Sequence, residues 1–185
     1  MNKWVYELMY RLPFVPGTWI FGPLLPELVE LVESGRIAPG RAIDLGCGVG
    51  IEAIYLSENG FDVTGVDFSP TAIKQARAKS QAAGLQVRFV EDDLTDLHQV
   101  SGVYDLLLDV GTLDDMNQAD RGSYMQSILP LTHPGSQYLL MCFENNLGSD
   151  EVNQRFGEHF SIETLARRSE VVFSRGIAVY LMAKR

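Results

Sequence analysis

Three short stretches combine glycines, carboxylates and an aromatic ring in an order that suits ligand binding. The first is Ala42-Ile43-Asp44-Leu45-Gly46-Cys47-Gly48-Val49-Gly50, an apolar run ending in a carboxylate and three alternating glycines. Glycine admits positive φ and lets backbone approach a ligand, and the free N–H groups of a following helix favour negative charge. The second is Asp67, 23 positions after Asp44 at the end of the next apolar run. A carboxylate there can accept hydrogen bonds from both hydroxyls of a ribose, with Phe68 beside it to lie against a base. The third is Glu91-Asp92-Asp93, where Asp92 or Asp93 can accept a hydrogen bond from the exocyclic amine of adenine.

Two common phosphate-binding patterns fail. A dinucleotide loop of the form Gly-x-Gly-x-x-Gly, counted from Gly46 and Gly48, requires glycine where Ile51 stands. A P-loop would need Gly-Lys where Ile51 and Glu52 follow. What remains is a glycine loop led by Asp44 and followed in order by two further acidic strand ends.

These residues resemble the class I S-adenosylmethionine-dependent methyltransferases. The glycine motif is matched by Asp44 to Gly50, the acidic ribose motif by Val63-Thr64-Gly65-Val66-Asp67, the adenine motif by Phe89 to Leu94 and the fourth-strand motif by Tyr104 to Asp109. The likeness runs from roughly Pro26 to Arg185. It implies S-adenosyl-L-methionine as cofactor, held by Asp44, Gly46, Cys47, Gly48, Asp67, Phe68, Asp92, Asp93 and Asp109, with the anion at the glycine loop being the cofactor carboxylate. It also implies an in-line displacement in which an acceptor heteroatom attacks the methyl carbon, so that the protein mainly aligns and dehydrates.

On the acceptor side, Asp109-Val110-Gly111-Thr112-Leu113-Asp114-Asp115-Met116 gathers carboxylates after the fourth strand. By resemblance Asp109 lies beside the methionine portion of the cofactor, and Asp114 stands where relatives with an Asp-x-Gly-x-x-His pattern carry histidine. Asp114 is the candidate base, or else a helix-start carboxylate stabilised by the macrodipole. No metal is expected, because Asp109, Asp114 and Asp115 have no companion ligand at recognisable spacing.

The elements that must position these groups alternate. Apolar runs at Ala42–Asp44, Asp62–Asp67, Gln86–Val90, Tyr104–Val110 and Gln137–Phe143 read as strands. Between them helices are expected from Ile51 to Asn59, from Ser69-Pro70 to Gly84, and over 118–131. A helix at Pro23–Glu33 precedes them, and a short helix near Asp150–Phe156 leads to two strands, Ser161–Arg168 and Gly176–Met182, joined closely enough to pair antiparallel. The fold class is α/β, a Rossmann-like three-layer sandwich with a mostly parallel seven-stranded sheet and an antiparallel C-terminal strand.

Residues 1–185 read as a single domain, with residues 1–22 an irregular, aromatic segment rich in Trp and Tyr. That segment is either a lid over the cleft or a fixed strut, and Tyr10-Arg11 and Trp19 are candidate cofactor contacts. Together with the 23–33 helix and the glycine loop, it resembles the compact small-molecule branch that includes thiopurine, tellurite, halide and heterocyclic-phenol methyltransferases.

The formal net charge of -9 disfavours nucleic acid as a partner. No stretch has the roughly 20 apolar residues of a membrane span, and the two cysteines have neither disulfide nor metal spacing, which suits the cytoplasm. A small-molecule O, S or N acceptor and a monomer or homodimer are expected. A non-catalytic S-adenosylmethionine-binding module or partner subunit is the alternative.

Overall fold

The structure, a computed structural model, describes residues 3–11, 23–170 and 175–185. Seven strands form one sheet: β1 (Arg41–Leu45), β2 (Asp62–Asp67), β3 (Arg88–Glu91), β4 (Leu106–Val110), β5 (Gln137–Phe143), β6 (Phe160–Glu170) and β7 (Arg175–Lys184), in the order β3-β2-β1-β4-β5-β7-β6. All run parallel except β7, which pairs antiparallel with both β5 and β6. The chain winds outward from β1 to β3, then returns to lay β4 against the other side of β1. The order therefore reverses between β1 and β4, and ligands bind at the carboxyl ends beside such a reversal.

Side-chain alternation along the strands divides the core into two layers. Leu28 and Leu31 of α2 (Pro26–Glu33), Ala53 and Leu56 of α3 (Ile51–Glu58), and Ile73 and Ala76 of α4 (Pro70–Ala82) pack on one sheet face with Ala42, Leu106 and Leu108. Tyr124 and Ile128 of α5 (Gln118–Ile128) and Val152 and Phe156 of α6 (Ser149–Phe156) pack on the other with Ile43, Leu107 and Tyr138. Each such fully buried Leu contributes about 2 kcal/mol through removal from water.

The expected elements form with shifted ends. The 23–33 helix begins at Pro26, and β3 begins at Arg88 rather than Gln86. The 118–131 helix stops at Ile128, where Pro130, which lacks an N–H, is accommodated by a 3-10 turn over Leu129–Leu131. Strands β6 and β7 extend beyond the expected spans, and the register of β6 shifts between Thr164 and Ala166.

The start of the chain is not irregular. Lys3–Arg11 forms helix α1, in which Lys3 and Glu7, and likewise Tyr6 and Tyr10, recur four residues apart. The apolar period is obscured in sequence because Trp4, Val5 and Leu8 sit exposed on the opposite face. Trp19, and the rest of 12–22, lies outside the described residues.

Candidate active site

The glycine loop turns out of β1 with φ of 82° at Gly46, 51° at Gly48 and 82° at Gly50, a region that disfavours side chains. Little room exists for one: a Cβ on Gly48 would lie 2.8 Å from the Tyr10 hydroxyl, and a Cβ on Gly46 would collide with Thr112. Asp44 reinforces the turn by accepting the Ala53 N–H at the start of α3, a helix whose N-cap glycine offers no side chain.

Asp67 ties this loop to β2. Its Oδ2 accepts from Gly48 N at 2.9 Å and its Oδ1 from Ser69 N at 2.8 Å. Burial pushes its carboxyl up to about 6 in spite of those donors. Each carboxylate oxygen accepts at more than one site, so the face that Asp67 turns to the cleft retains capacity for ribose hydroxyls.

The acidic pair after β3 divides its roles. Asp92 shapes its own loop, where Oδ2 accepts from His98 N at 3.0 Å and Gln99 N at 2.7 Å, and it also borders an open groove beside Phe68 and Asp93. Asp93 borders the cleft and accepts Lys3 Nζ and the Thr95 hydroxyl. Burial raises its carboxyl, but Lys3 and Thr95 outweigh that and hold it below the usual range.

Asp109 is fully buried, and its oxygens are taken by Tyr124 Oη at 2.6 Å, Tyr138 Oη at 3.4 Å and Thr112 N at 2.9 Å. Burial pushes it up to about 6. It shapes the turn after β4. Cys47 packs its thiol into the core and donates its N–H to the Val66 carbonyl at 2.9 Å, so it too contributes structure.

Asp114 occupies a 3-10 turn, Leu113–Asp115, ahead of α5 rather than at its start, and is only 2% exposed. Its Oδ2 accepts from Phe143 N at 3.2 Å, while Oδ1 is buried without a partner. Burial, joined by the charge of Asp109, pushes it up to about 7.

Helix α1 lies across all four strand ends. Lys3 reaches Asp93, Tyr6 reaches Asp115, Glu7 accepts from the hydroxyls of Ser69 and Thr71, and Tyr10 sits over Gly48 with its carbonyl held by Gln75 Nε2 at 2.7 Å. Tyr6 also stands edge-on to Phe68, ring centroids 6.3 Å apart. Arg11 is corrected: its side chain is 65% exposed and pairs with Glu7 at 2.9 Å. The cleft beneath α1, about 530 Å³ and partly open to solvent, is lined by Gly46, Asp67, Phe68, Asp93, Thr112 and Asp115 together with Lys3, Tyr6 and Tyr10.

The sequence marked Asp115 among the acceptor-side carboxylates and Tyr6 within the aromatic segment, but gave no role to Lys3, Glu7 or Asn146. The paired four-residue spacings of α1 were a usable signal; the meeting of Tyr6 with Asp115 is tertiary and left none.

A reversed parallel sheet with a glycine loop, an acidic second-strand end and a covered cleft defines the class I methyltransferase fold. Residues 42–135 match the model of a methyltransferase domain, and the chain belongs to that family. It is 32% identical over 127 residues to the 2-heptyl-1-hydroxyquinolin-4(1H)-one methyltransferase of Mycobacteroides abscessus, covering 68% of this chain and 56% of that relative. The chain thus spans little more than half the length of that protein. Among solved structures it is similar to one described by the conversion of a disulfide bond into a thioacetal group during echinomycin biosynthesis, with TM-score 0.82, 25% identity and 100% and 93% of the two chains covered. It also shares its fold with the Burkholderia thailandensis 1,6-didemethyltoxoflavin-N1-methyltransferase, TM-score 0.70 at 21% identity, over 99% of this chain and 81% of that one.

Proposed function

We propose that this chain binds S-adenosyl-L-methionine in the cleft between α1 and the strand ends and transfers its methyl group to a heteroatom of a small acceptor. The observation that carries this is the buried carboxylate flooring the glycine loop, with Asp67 beside it on the cleft wall. Asp44 is 2% exposed with Oδ2 lacking a partner, and burial, with the charges of Glu52, Asp109 and Asp67, holds its carboxyl well above the usual range. A group bearing an ammonium and a sulfonium suits such a floor, since it supplies both a donor and positive charge.

The residues present fit that group in kind. The glycine loop leaves backbone bare, Asp67 offers two acceptor oxygens, Phe68 offers a ring and Asp93 stands at the far end. The bound cofactor would supply an electrophilic methyl group. The protein's task is to hold the acceptor in line and exclude water, and alignment of this sort lowers a barrier by several kcal/mol, up to about 7 to 11 in well-oriented reactions.

The small acceptor is supported by the narrow cleft and by the relatives named above. Among the described residues no helix is long and apolar enough to cross a membrane. Both cysteines are buried and free, which supports a reducing, cytoplasmic setting, and the acidic charge supports a chain that works without nucleic acid. Incubation with methyl-labelled S-adenosylmethionine and a cell extract should yield a labelled small molecule; cofactor binding without any labelled product would identify a non-catalytic module instead.

A further inference from the structure

Tyr6 and Asp115 lie 109 residues apart and meet in the cleft, where the Tyr6 hydroxyl donates to Asp115 Oδ2. Asp115 Oδ1 accepts from Asn146 Nδ2 at 3.5 Å, and the same amide donates to Asp114 Oδ2 at 3.4 Å. Behind them the unpartnered Asp114 Oδ1 lies 4.0 Å from where a Cβ on Gly111, part of the cleft wall, would stand. Arg121 is buried nearby but spends its donors on the carbonyls of Leu113, Asp114 and Asn146 and on Glu151. This corner therefore accepts hydrogens and repels anions.

Tyr6 is the one group from α1 that fills this corner's accepting site, and α1 is joined to the cleft by side chains at its rim. A ligand bearing its own acidic hydrogen can replace that hydroxyl at Asp115 with no acceptor left unsatisfied, whereas an apolar or anionic ligand that displaced Tyr6 would leave Asp115 Oδ2 without a donor.

We propose that Asp115 receives the reactive hydrogen of the acceptor, with Tyr6 holding its place until the acceptor arrives, so that the acceptor class is a small neutral molecule with an acidic O–H, S–H or N–H. This rests on the methyl-transfer reading above. In the step, the heteroatom lone pair forms the new bond to the methyl carbon, the carbon–sulfur bond breaks with its electron pair staying on sulfur, and the heteroatom's proton passes to the Asp115 carboxylate. Carboxylic and phosphoric acceptors, already anionic, are excluded by Asp114 and Asp115.

The test uses the whole chain, S-adenosylhomocysteine as cofactor probe and 2-heptyl-1-hydroxyquinolin-4(1H)-one as acceptor probe. Calorimetry first measures S-adenosylhomocysteine binding to wild type, Asp115→Asn and Tyr6→Phe, so that methyl transfer is compared at saturating cofactor in each. The acceptor probe should bind the loaded wild type. Asp115→Asn should lower methyl transfer to it by on the order of 100-fold, with partial rescue in Asp115→Glu. Tyr6→Phe should lower the KM for the probe by up to about fivefold, because it removes a competing hydrogen bond. The proposal is overturned by wild-type transfer rates in Asp115→Asn, by no rescue in Asp115→Glu, by a raised KM in Tyr6→Phe, or by failure of the probe to bind the loaded wild type. Failure of S-adenosylhomocysteine to bind wild type would instead overturn the methyl-transfer reading itself.

Discussion

At the scale of residues, the glycine loop is constrained from two sides. Gly48 holds φ at 51°, its N–H is spent on Asp67, and the Tyr10 hydroxyl fills the space where its side chain would stand. Gly48→Ala should therefore weaken S-adenosylhomocysteine binding by about tenfold or more, through backbone strain and a displaced Tyr10. Adding Tyr10→Phe removes the crowding atom and should recover part of the loss; a double variant no better than Gly48→Ala would mean that backbone strain alone is responsible. Gly46, Gly48 and Asp67 were legible in sequence because a buried strand that ends in glycines leaves few conformations open. The division of labour between Asp92 and Asp93 was not, since adjacent residues point apart and only the loop's need for acceptors at His98 N and Gln99 N decides which one turns inward. The partners of Asp109 were hidden for a related reason: its position marks the strand end, but the two tyrosines that bond it come from α5 and β5.

At the scale of elements, α1 acts through side chains rather than packed area. Lys3, Tyr6 and Glu7 each bind a different strand-end loop, and Tyr10 alone is deeply buried. Contacts of this kind are individually weak, and elements held by few buried apolar groups open most easily. Hydrogen exchange should accordingly be faster in α1 than in β1 or β4, and saturation with S-adenosylhomocysteine should slow it. Unchanged exchange in α1 at saturation would mark it as a fixed strut. The sheet and its flanking helices could be read from the alternation of periods two and 3.6; α1 carried a four-residue spacing too, but its apolar Trp4, Val5 and Leu8 stay exposed, so the apolar pattern did not mark the face that meets the cleft. Element ends moved where local chemistry overrode the apolar pattern, as at Pro26 and Pro130.

At the scale of the molecule, burial has concentrated carboxylates beneath one cleft in a chain of net charge -9. Asp67 and Asp109 titrate at about 6 and Asp114 at about 7, against 3.8 for an exposed aspartate. The folded chain thus keeps protons that the unfolded chain has released, and their stabilising contribution, complete below about pH 4, is lost as pH rises through 6 and 7. The ligand-free protein should melt at a lower temperature at about pH 7.5 than at about pH 5, with Asp114→Asn flattening the difference. A Tm that rises over that interval would show that these carboxylates are not buried as described. The covered cleft is proposed as a cofactor site read by Asp67. Calorimetric titration with S-adenosylhomocysteine tests it most directly: saturable binding of one molecule per chain is predicted, weakened by about 1 to 3 kcal/mol in a folded Asp67→Ala variant. No binding to wild type, or equal binding by the variant, would contradict it.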